Sequence, residues 1–228
     1  MSYQDIFKKR HVLLPVIHVE GISQALRNVD IAKCEGADGV FLINHHISAQ
    51  ALMLCYAHIR GRYPDFWIGL NCLDLTPIEA FHAAPLDVSG IWVDNAGVRS
   101  EIGGTDRAAY IAKVHAEVKP HALYFGGVAF KYQGIDRDPA LHARLAKPFV
   151  DVVTTSGDAT GSAPTVAKIK SMKESVGDHP LAIASGITPE NVLEYMPYAD
   201  CFLVATGISQ SHTELDSGKV RRLAKVLV

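Results

Sequence analysis

Val150-Asp-Val-Val-Thr-Thr-Ser-Gly157, Leu181-Ala-Ile-Ala-Ser-Gly-Ile-Thr-Pro-Glu-Asn191 and Cys201-Phe-Leu-Val-Ala-Thr-Gly-Ile-Ser209 share one plan. A short apolar run ends in a small, polar or glycine-bearing turn, and an amphipathic helical pattern follows. Three such units in succession read as the closing strands of a parallel β/α barrel, whose last two turns commonly form an anion site. The same pattern extends backwards through the chain. Apolar runs begin near Val12, Gly39, Phe66, Gly90, Ala122, Val150, Leu181 and Cys201, about 20 to 32 residues apart, the length of a βα unit. Most are continuous rather than alternating, as befits strands covered on both faces. Eight units without a linker predict an α/β fold, a single (β/α)8 TIM barrel occupying residues 1–228. A doubly wound open sheet is the alternative, and it ordinarily needs fewer units.

Between the strands, Ser23 is expected to open a helix closed by Gly36 in a left-handed C-terminal turn. Thr76-Pro77-Ile78-Glu79 is expected to form a capping box with proline in the first turn, and Thr188-Pro189-Glu190-Asn191 repeats the logic of a threonine cap before proline. Asp216 is placed to cap the final helix. A weaker repeat precedes or forms the even-numbered strands: Gly36-Ala-Asp-Gly-Val-Phe-Leu42, Asp87-Val-Ser-Gly-Ile-Trp-Val93, Val150-Asp-Val-Val153 and Ala199-Asp-Cys-Phe-Leu-Val204. Lying at strand starts, it belongs to the stability end of a barrel and carries no chemistry.

Composition narrows the function classes. With 228 residues, 48% of them hydrophobic, the chain can bury a large core, which excludes disorder. A net charge of −2 and no Lys/Arg run longer than Lys8-Lys9-Arg10 argue against nucleic acid as a partner. Cys34, Cys55, Cys72 and Cys201 are too dispersed for a disulfide framework or a structural zinc site and fit reduced thiols in a cytoplasmic protein. The first ten residues lack the apolar stretch of a signal peptide, and no integral membrane segment is expected. Self-association as a homo-oligomer is open.

Barrel chemistry sits at the C-terminal ends of the strands. There the chain offers His18 and Glu20, then Asn44, His45 and His46, Asn71 and Asp74, Asp94 and Asn95, Lys131, Thr154 to Asp158, Ser185 and Thr206. Gly186 and Gly207 let backbone amides approach an anion closely, and a short helical turn after Gly207 would add a positive dipole end. Ser185, Thr206 and Ser209 are the expected hydroxyl donors, with tight-turn residues as the structural alternative. Lys131 is suited to neutralise a phosphate or carboxylate, stabilise an oxyanion or form a Schiff base; its alternative is a rim lysine in solvent. Asp94 is a candidate general base or an ion-pair partner, and Asp158 a loop acid or an ordinary turn residue. His18, His45 and His46 with Glu20 and Asp94 invite a metal reading, but His18-x-Glu20 is not the His-x-His pair of metallohydrolase barrels. No metal and no cofactor is expected. Cys72 reads as a small buried side chain.

Taken together, these strand ends resemble the BtpA-like (SgcQ-like) proteins of the ribulose-phosphate-binding barrel superfamily. The resemblance rests on Val16-Ile17-His18, Gly36-Ala37-Asp38-Gly39, Gly69-Leu70-Asn71, Lys131, the stretch from Thr155 to Gly161, Ala184 to Asn191, and Asp216 with Val220-Arg221-Arg222. It spans nearly the whole chain, and the two glycine-bearing stretches are its most specific parts. The mouth departs from the family pattern. Val19 to Ser23 replaces a Pro-Gly-rich turn, Ile43-Asn44 followed by His45-His46 replaces Glu-Asn, and Tyr132 stands where His is usual. The resemblance implies a phosphate-binding barrel and an enzyme acting on a small phosphorylated metabolite, such as a sugar phosphate or ribose-phosphate derivative, by isomerase, lyase or glycosidic-cleavage chemistry. Lys131, Asp94, Asn71, His18 and Asp158 are the expected reacting group, and Ser185, Gly186, Thr206, Gly207 and Ser209 the expected phosphate group. A non-catalytic assembly or stability factor, the role of one branch of the family at photosynthetic membranes, is the alternative. A metal-dependent hydrolase is the third reading.

Overall fold

A computed structural model describes residues 2–131, 133, 138–159 and 161–228. Tyr132 and Thr160, both part of the sequence motifs above, lie outside the described residues. Eight parallel strands close on themselves in sequential order: β1 (Val12–His18), β2 (Gly39–Ile43), β3 (Trp67–Asn71), β4 (Gly90–Val93), β5 (Leu123–Gly127), β6 (Val152–Thr155), β7 (Leu181–Ile183) and β8 (Cys201–Val204), with β8 paired to β1. Helices alternate with them, among them α1 (Tyr3–Phe7), α2 (Ile22–Cys34), α3 (Ala49–Arg62), α4 (Pro77–Ala83), α5 (Asp106–Val118), α6 (Pro139–Ala146), α7 (Val166–Val176), α8 (Val192–Tyr195) and α9 (Ser217–Val226). The expected TIM barrel is the fold observed.

Alternation within each strand divides the core in two. One set of side chains, including Leu13, Ile17, Val40, Leu42, Ile68 and Leu70, packs under the helices, and the other fills the barrel. Inside, Phe41 meets Trp67, Trp92 and Phe125 edge-on at centroid distances of 5.1, 5.7 and 5.1 Å, the geometry aromatic quadrupoles favour. Room for these rings comes from glycine on neighbouring strands. A Cβ at Gly69 would lie 2.3 Å from the Phe41 ring, and one at Gly90 would lie 2.5 Å from Trp67. α1, opened by a Ser2/Asp5 capping box, covers the N-terminal end: Tyr3 is buried and its hydroxyl donates to the Asp200 carbonyl at 3.0 Å.

The sequence repeat has a structural counterpart at that end. The Asp38 carboxylate accepts the Leu13 amide at 2.8 Å, Asp151 accepts the Tyr124 amide at 2.7 Å and Asp200 accepts the Leu181 amide at 2.8 Å. In the remaining pair Ser89 takes the place of the acid, its hydroxyl accepting the Ile68 amide at 3.1 Å. Each even strand thus supplies a side-chain acceptor for an amide at the start of the odd strand before it, where the ladder alone would leave that donor unpaired.

Three local expectations are corrected. α2 begins at Ile22 after Gly21, with no side-chain cap, so Ser23 lies inside its first turn. The Thr76 box forms as read, whereas Thr188 does not open a helix: Asn191 Oδ1 takes the Thr188 amide at 2.8 Å, and α8 starts only at Val192. β5 stops at Gly127 rather than running to Phe130, because Ala129 turns left-handed at φ 47°.

Candidate active site

The in–out alternation that fills the barrel also selects the groups at its mouth. On β1 the inward series Val12, Leu14, Val16 ends at His18; on β2, Phe41 and Ile43 lead to His45. By the same period, β3 delivers Asn71 and β4 delivers Asp94. Four successive strands therefore project polar side chains into the barrel mouth, and His18 and Asn71 are buried. Asn71 Nδ2 donates to Asp94 Oδ1 at 3.2 Å. Burial raises the Asp94 pKa above its ordinary value, against the opposing pull of the Asn71 hydrogen bond and the Lys131 charge. The Asp94 main chain packs directly on Gly127, where a Cβ would fall 2.4 Å from the Asp94 carbonyl oxygen.

Lys131 stands four residues beyond the end of β5, at the end of the left-handed turn. Such a conformation costs a non-glycine residue about 1–2 kcal/mol, and here it is fastened from several directions. The Ala129 carbonyl accepts from Lys168 Nζ at 2.6 Å and from the Thr155 hydroxyl at 3.2 Å. The Lys131 amide donates to Ser156 Oγ at 2.8 Å, and Lys168 reaches the Ser156 carbonyl at 2.7 Å. Lys168, on α7, is a positioning residue that sequence reading missed. Held this way, the Lys131 ammonium is near enough to Asp94, His18 and His45 to bear on the titration of all three.

On the opposite side, the turns after β7 and β8 come together through their glycines. Gly186 adopts φ 68°, and a Cβ there would lie 2.0 Å from the Ala163 nitrogen; at Gly207 it would lie 1.9 Å from the Ile187 carbonyl oxygen. Asn191 Nδ2 locks the first turn by donating to the Gly186 carbonyl at 2.9 Å. Thr206 begins a single 3-10 turn, Thr206–Ile208. The Ser185 hydroxyl accepts the Gly157 amide and donates to the Ser162 carbonyl, both at 2.8 Å. The Ser209 hydroxyl donates to the Ala205 carbonyl at 2.9 Å. Both hydroxyls, expected as ligand donors, also brace the turns, and Ser185 lines the cavity at the barrel mouth.

A small cavity, partly open to solvent, joins the two sides. His18, His45, Trp92 and Lys131 line it together with Ser185, Gly186, Thr206, Gly207 and Gly161. Asp158 is exposed on the bend after β6 and does not line it; Gly161 of the same loop does. Asn44 and Asp74 serve the rim: Asn44 donates to Asp74 Oδ1 at 2.6 Å, and Asp74 Oδ2 accepts the Ala49 amide at 3.0 Å. Cys72 is buried and its thiol pushed up to about 12, chiefly by burial, which disfavours the thiolate at neutral pH.

The largest unforeseen feature is His212. Its ring lies 4.3 Å from that of His18, with His18 Nδ1 3.1 Å from His212 Nε2, and 5.9 and 6.2 Å from those of His45 and His46. His18 and His45 meet edge-on at 4.7 Å. α2 fixes this arrangement. Buried Asn28 donates to the Thr213 carbonyl at 3.0 Å and accepts the Leu215 amide at 2.6 Å, while Gln24 donates to the carbonyls of His18 and Thr213. Burial first, and the neighbouring imidazoles next, lower the His18 pKa to about 4; the same causes lower His45. Among the described residues, no group of three or more His, Cys, Asp or Glu side chains is arranged to hold a metal ion. No helix in those residues is long and apolar enough to cross a membrane.

Solved structures with this architecture include (S)-3-O-geranylgeranylglyceryl phosphate synthase of Thermoplasma acidophilum, crystallised with its substrate sn-glycerol-1-phosphate. It has a TM-score of 0.70 and 14% identity over 100% of this chain and 98% of that one. Phosphoribosyl anthranilate isomerase of Thermus thermophilus has a TM-score of 0.65 and 16% identity over 94% and 96%. At such identities the likeness is one of fold. The uncharacterized protein TK2179 of Thermococcus kodakarensis is 30% identical over 118 residues, which are 50% of this chain and 41% of that protein. The BtpA family model matches residues 71–227, from the end of β3 through α9. The chain belongs to the BtpA family.

Proposed function

We propose that the protein is an enzyme acting on a small phosphorylated metabolite, with the phosphate seated between the turns after β7 and β8. The observation that carries this reading is the single cavity in which Gly186, Thr206 and Gly207 face the same space as His18, His45 and Lys131. The amides of the two glycine turns and the Thr206 hydroxyl suit a dianion, since glycine admits close approach of the backbone. Ser185 and Ser209 contribute by holding those turns in shape. The reacting end of the ligand then faces Lys131, with Asp94 and Asn71 beside it at the barrel mouth although neither lines the cavity itself. Lys131 stabilises negative charge as it develops on a carbonyl or hydroxyl oxygen, and Asp94, oriented by Asn71, moves a proton. A raised Asp94 pKa brings that carboxylate closer to the operating range of a general base. Isomerase and lyase chemistry both use this pair, and the phosphorylated ligands of the structurally similar synthase and isomerase accord with the assignment.

Thermal-shift titration with phosphate esters tests the binding half. Esters should raise Tm in a concentration-dependent manner, and Thr206→Val should weaken the response. Stabilisation by no ester, at concentrations where inorganic salts are also silent, would remove the phosphate assignment. For an ester that is turned over, Lys131→Met and Asp94→Asn should lower kcat by at least about 10²-fold, while the response to inorganic phosphate persists.

A further inference from the structure

The histidine cluster stands beside the proposed phosphate turns without being part of them. Its four rings come from three places in the chain: His18 from β1, His45 and His46 from the turn after β2, and His212 from the segment after β8. His212 also borders a recess shared with Thr206, so the cluster adjoins the glycine turns directly. We propose that His45, His46 and His212, with Lys131, receive a second anionic group of the ligand, which is therefore a phosphate ester carrying a carboxylate or a second phosphate.

The charge balance of the mouth supports this. Among the described residues, the carboxylates around the three imidazoles are engaged elsewhere or exposed on their turns. Asp94 is held by Asn71, Asp74 by Asn44 and the Ala49 amide, and Glu214 by Arg27 at 2.5 Å. Asp158 and Glu20 are exposed on their turns, and residues 184–187 carry no titratable side chain. Crowded imidazoles next to an ammonium repel protons from one another. An anion entering among them reverses that repulsion and gives each ring a partner for an N–H donor. Binding is then accompanied by proton uptake at His18 and His45, the two rings whose pKa the fold lowers. Trp92, which lines the cavity, adds an indole N–H that is buried without an acceptor.

The inference builds on the phosphate reading by naming what stands at the other end of the ligand, and the test separates the two. Glycerol 3-phosphate, 3-phosphoglycerate and glycerate supply phosphate alone, both groups, and carboxylate alone. Ribulose 5-phosphate and ribulose 1,5-bisphosphate make the same comparison with a second phosphate. Calorimetry at pH 6 and pH 8, in two buffers of different ionisation enthalpy, should show at least one doubly anionic ester binding at least tenfold more tightly than its partner at pH 6. It should take up protons, with affinity improving by up to about tenfold per pH unit for each proton bound. The His46→Gln/His212→Gln double variant, altered only at exposed positions outside the cavity lining, should lose that advantage yet keep the response to glycerol 3-phosphate, which also reports that it is folded. Equal binding within both pairs, or an advantage the double variant retains, overturns the inference and leaves the phosphate site standing. Binding of glycerate without glycerol 3-phosphate removes the phosphate site and keeps the cluster as the anion receptor. Silence of all five compounds overturns both.

Discussion

Replacing His18 by Gln should flatten the acid limb of the protein's stability curve. In the unfolded chain this imidazole titrates near 6.5, whereas in the folded barrel burial and its neighbours hold it at about 4. Between those values the unfolded state binds more protons than the folded one, so stability falls as the pH falls. The contribution is fully present above about pH 6.5 and is lost progressively down to about pH 4. Linkage with these two values gives about 2 kcal/mol at pH 5, and water at the barrel mouth trims this to about 1–2 kcal/mol. For a chain of this size that is roughly 2–8 °C in Tm. His45 acts in the same direction, so the wild type should lose more than this between pH 8 and pH 5. The informative quantity is the difference between wild type and His18→Gln, followed by circular dichroism on heating at several pH values. Parallel pH dependences in the two proteins would mean that His18 is protonated in the folded state and that the cluster is not kept neutral.

Gly207→Ala places a methyl group 1.9 Å from the Ile187 carbonyl oxygen, a backbone atom with no freedom to swing aside. A loss of about 1–3 kcal/mol by chemical denaturation is expected, together with loss of the phosphate-ester thermal shift. An unchanged shift would show that the ligand does not use this turn. Asn28→Ala removes the acceptor of the buried Leu215 amide and should cost about 1–3 kcal/mol. It should also move the His212 imidazole resonances in NMR spectra, because the segment carrying that ring loses its hold on α2; spectra and midpoint identical to wild type would refute this account of how His212 is placed.

The strands were legible because each is buried on both sides and so reads as an unbroken apolar run, and because a fixed-length helix separates each from the next. The inward series on β1 to β4 made His18, Asn71 and Asp94 legible for the same reason: period two carries the eye from the barrel filling to the rim. His212 was not legible, since residues 209–215 have no periodicity of their own and are placed by side chains from α2. The available signal was Gln24 and Asn28, two polar residues one turn apart on a helix face that is otherwise buried. Hydroxyl direction was equally hidden. Ser185 and Ser209 stand where a ligand donor would, but neighbouring carbonyls claim their protons. Thr76 and Thr188 begin the same Thr-Pro pair, and only the first forms a cap: Asn191 stands where Glu79 does and takes the Thr188 amide, while Glu79 turns back on Thr76 in a capping box.

The side-chain acceptors at the N-terminal end divide the barrel in a way its continuous ladder conceals. Each joins an odd strand to the even strand that follows it, so the chain consists of four two-strand modules, each closed by a polar clasp of its own. Among the described residues, no clasp of this series connects one module to the next. A break in the exposed stretch around Glu101 and Ile102, between β4 and β5, would leave two clasps in each fragment. The two halves of this barrel are therefore suited to be made separately and to reassemble, with the aromatic filling as the adhesive and the clasps holding each half in register beforehand.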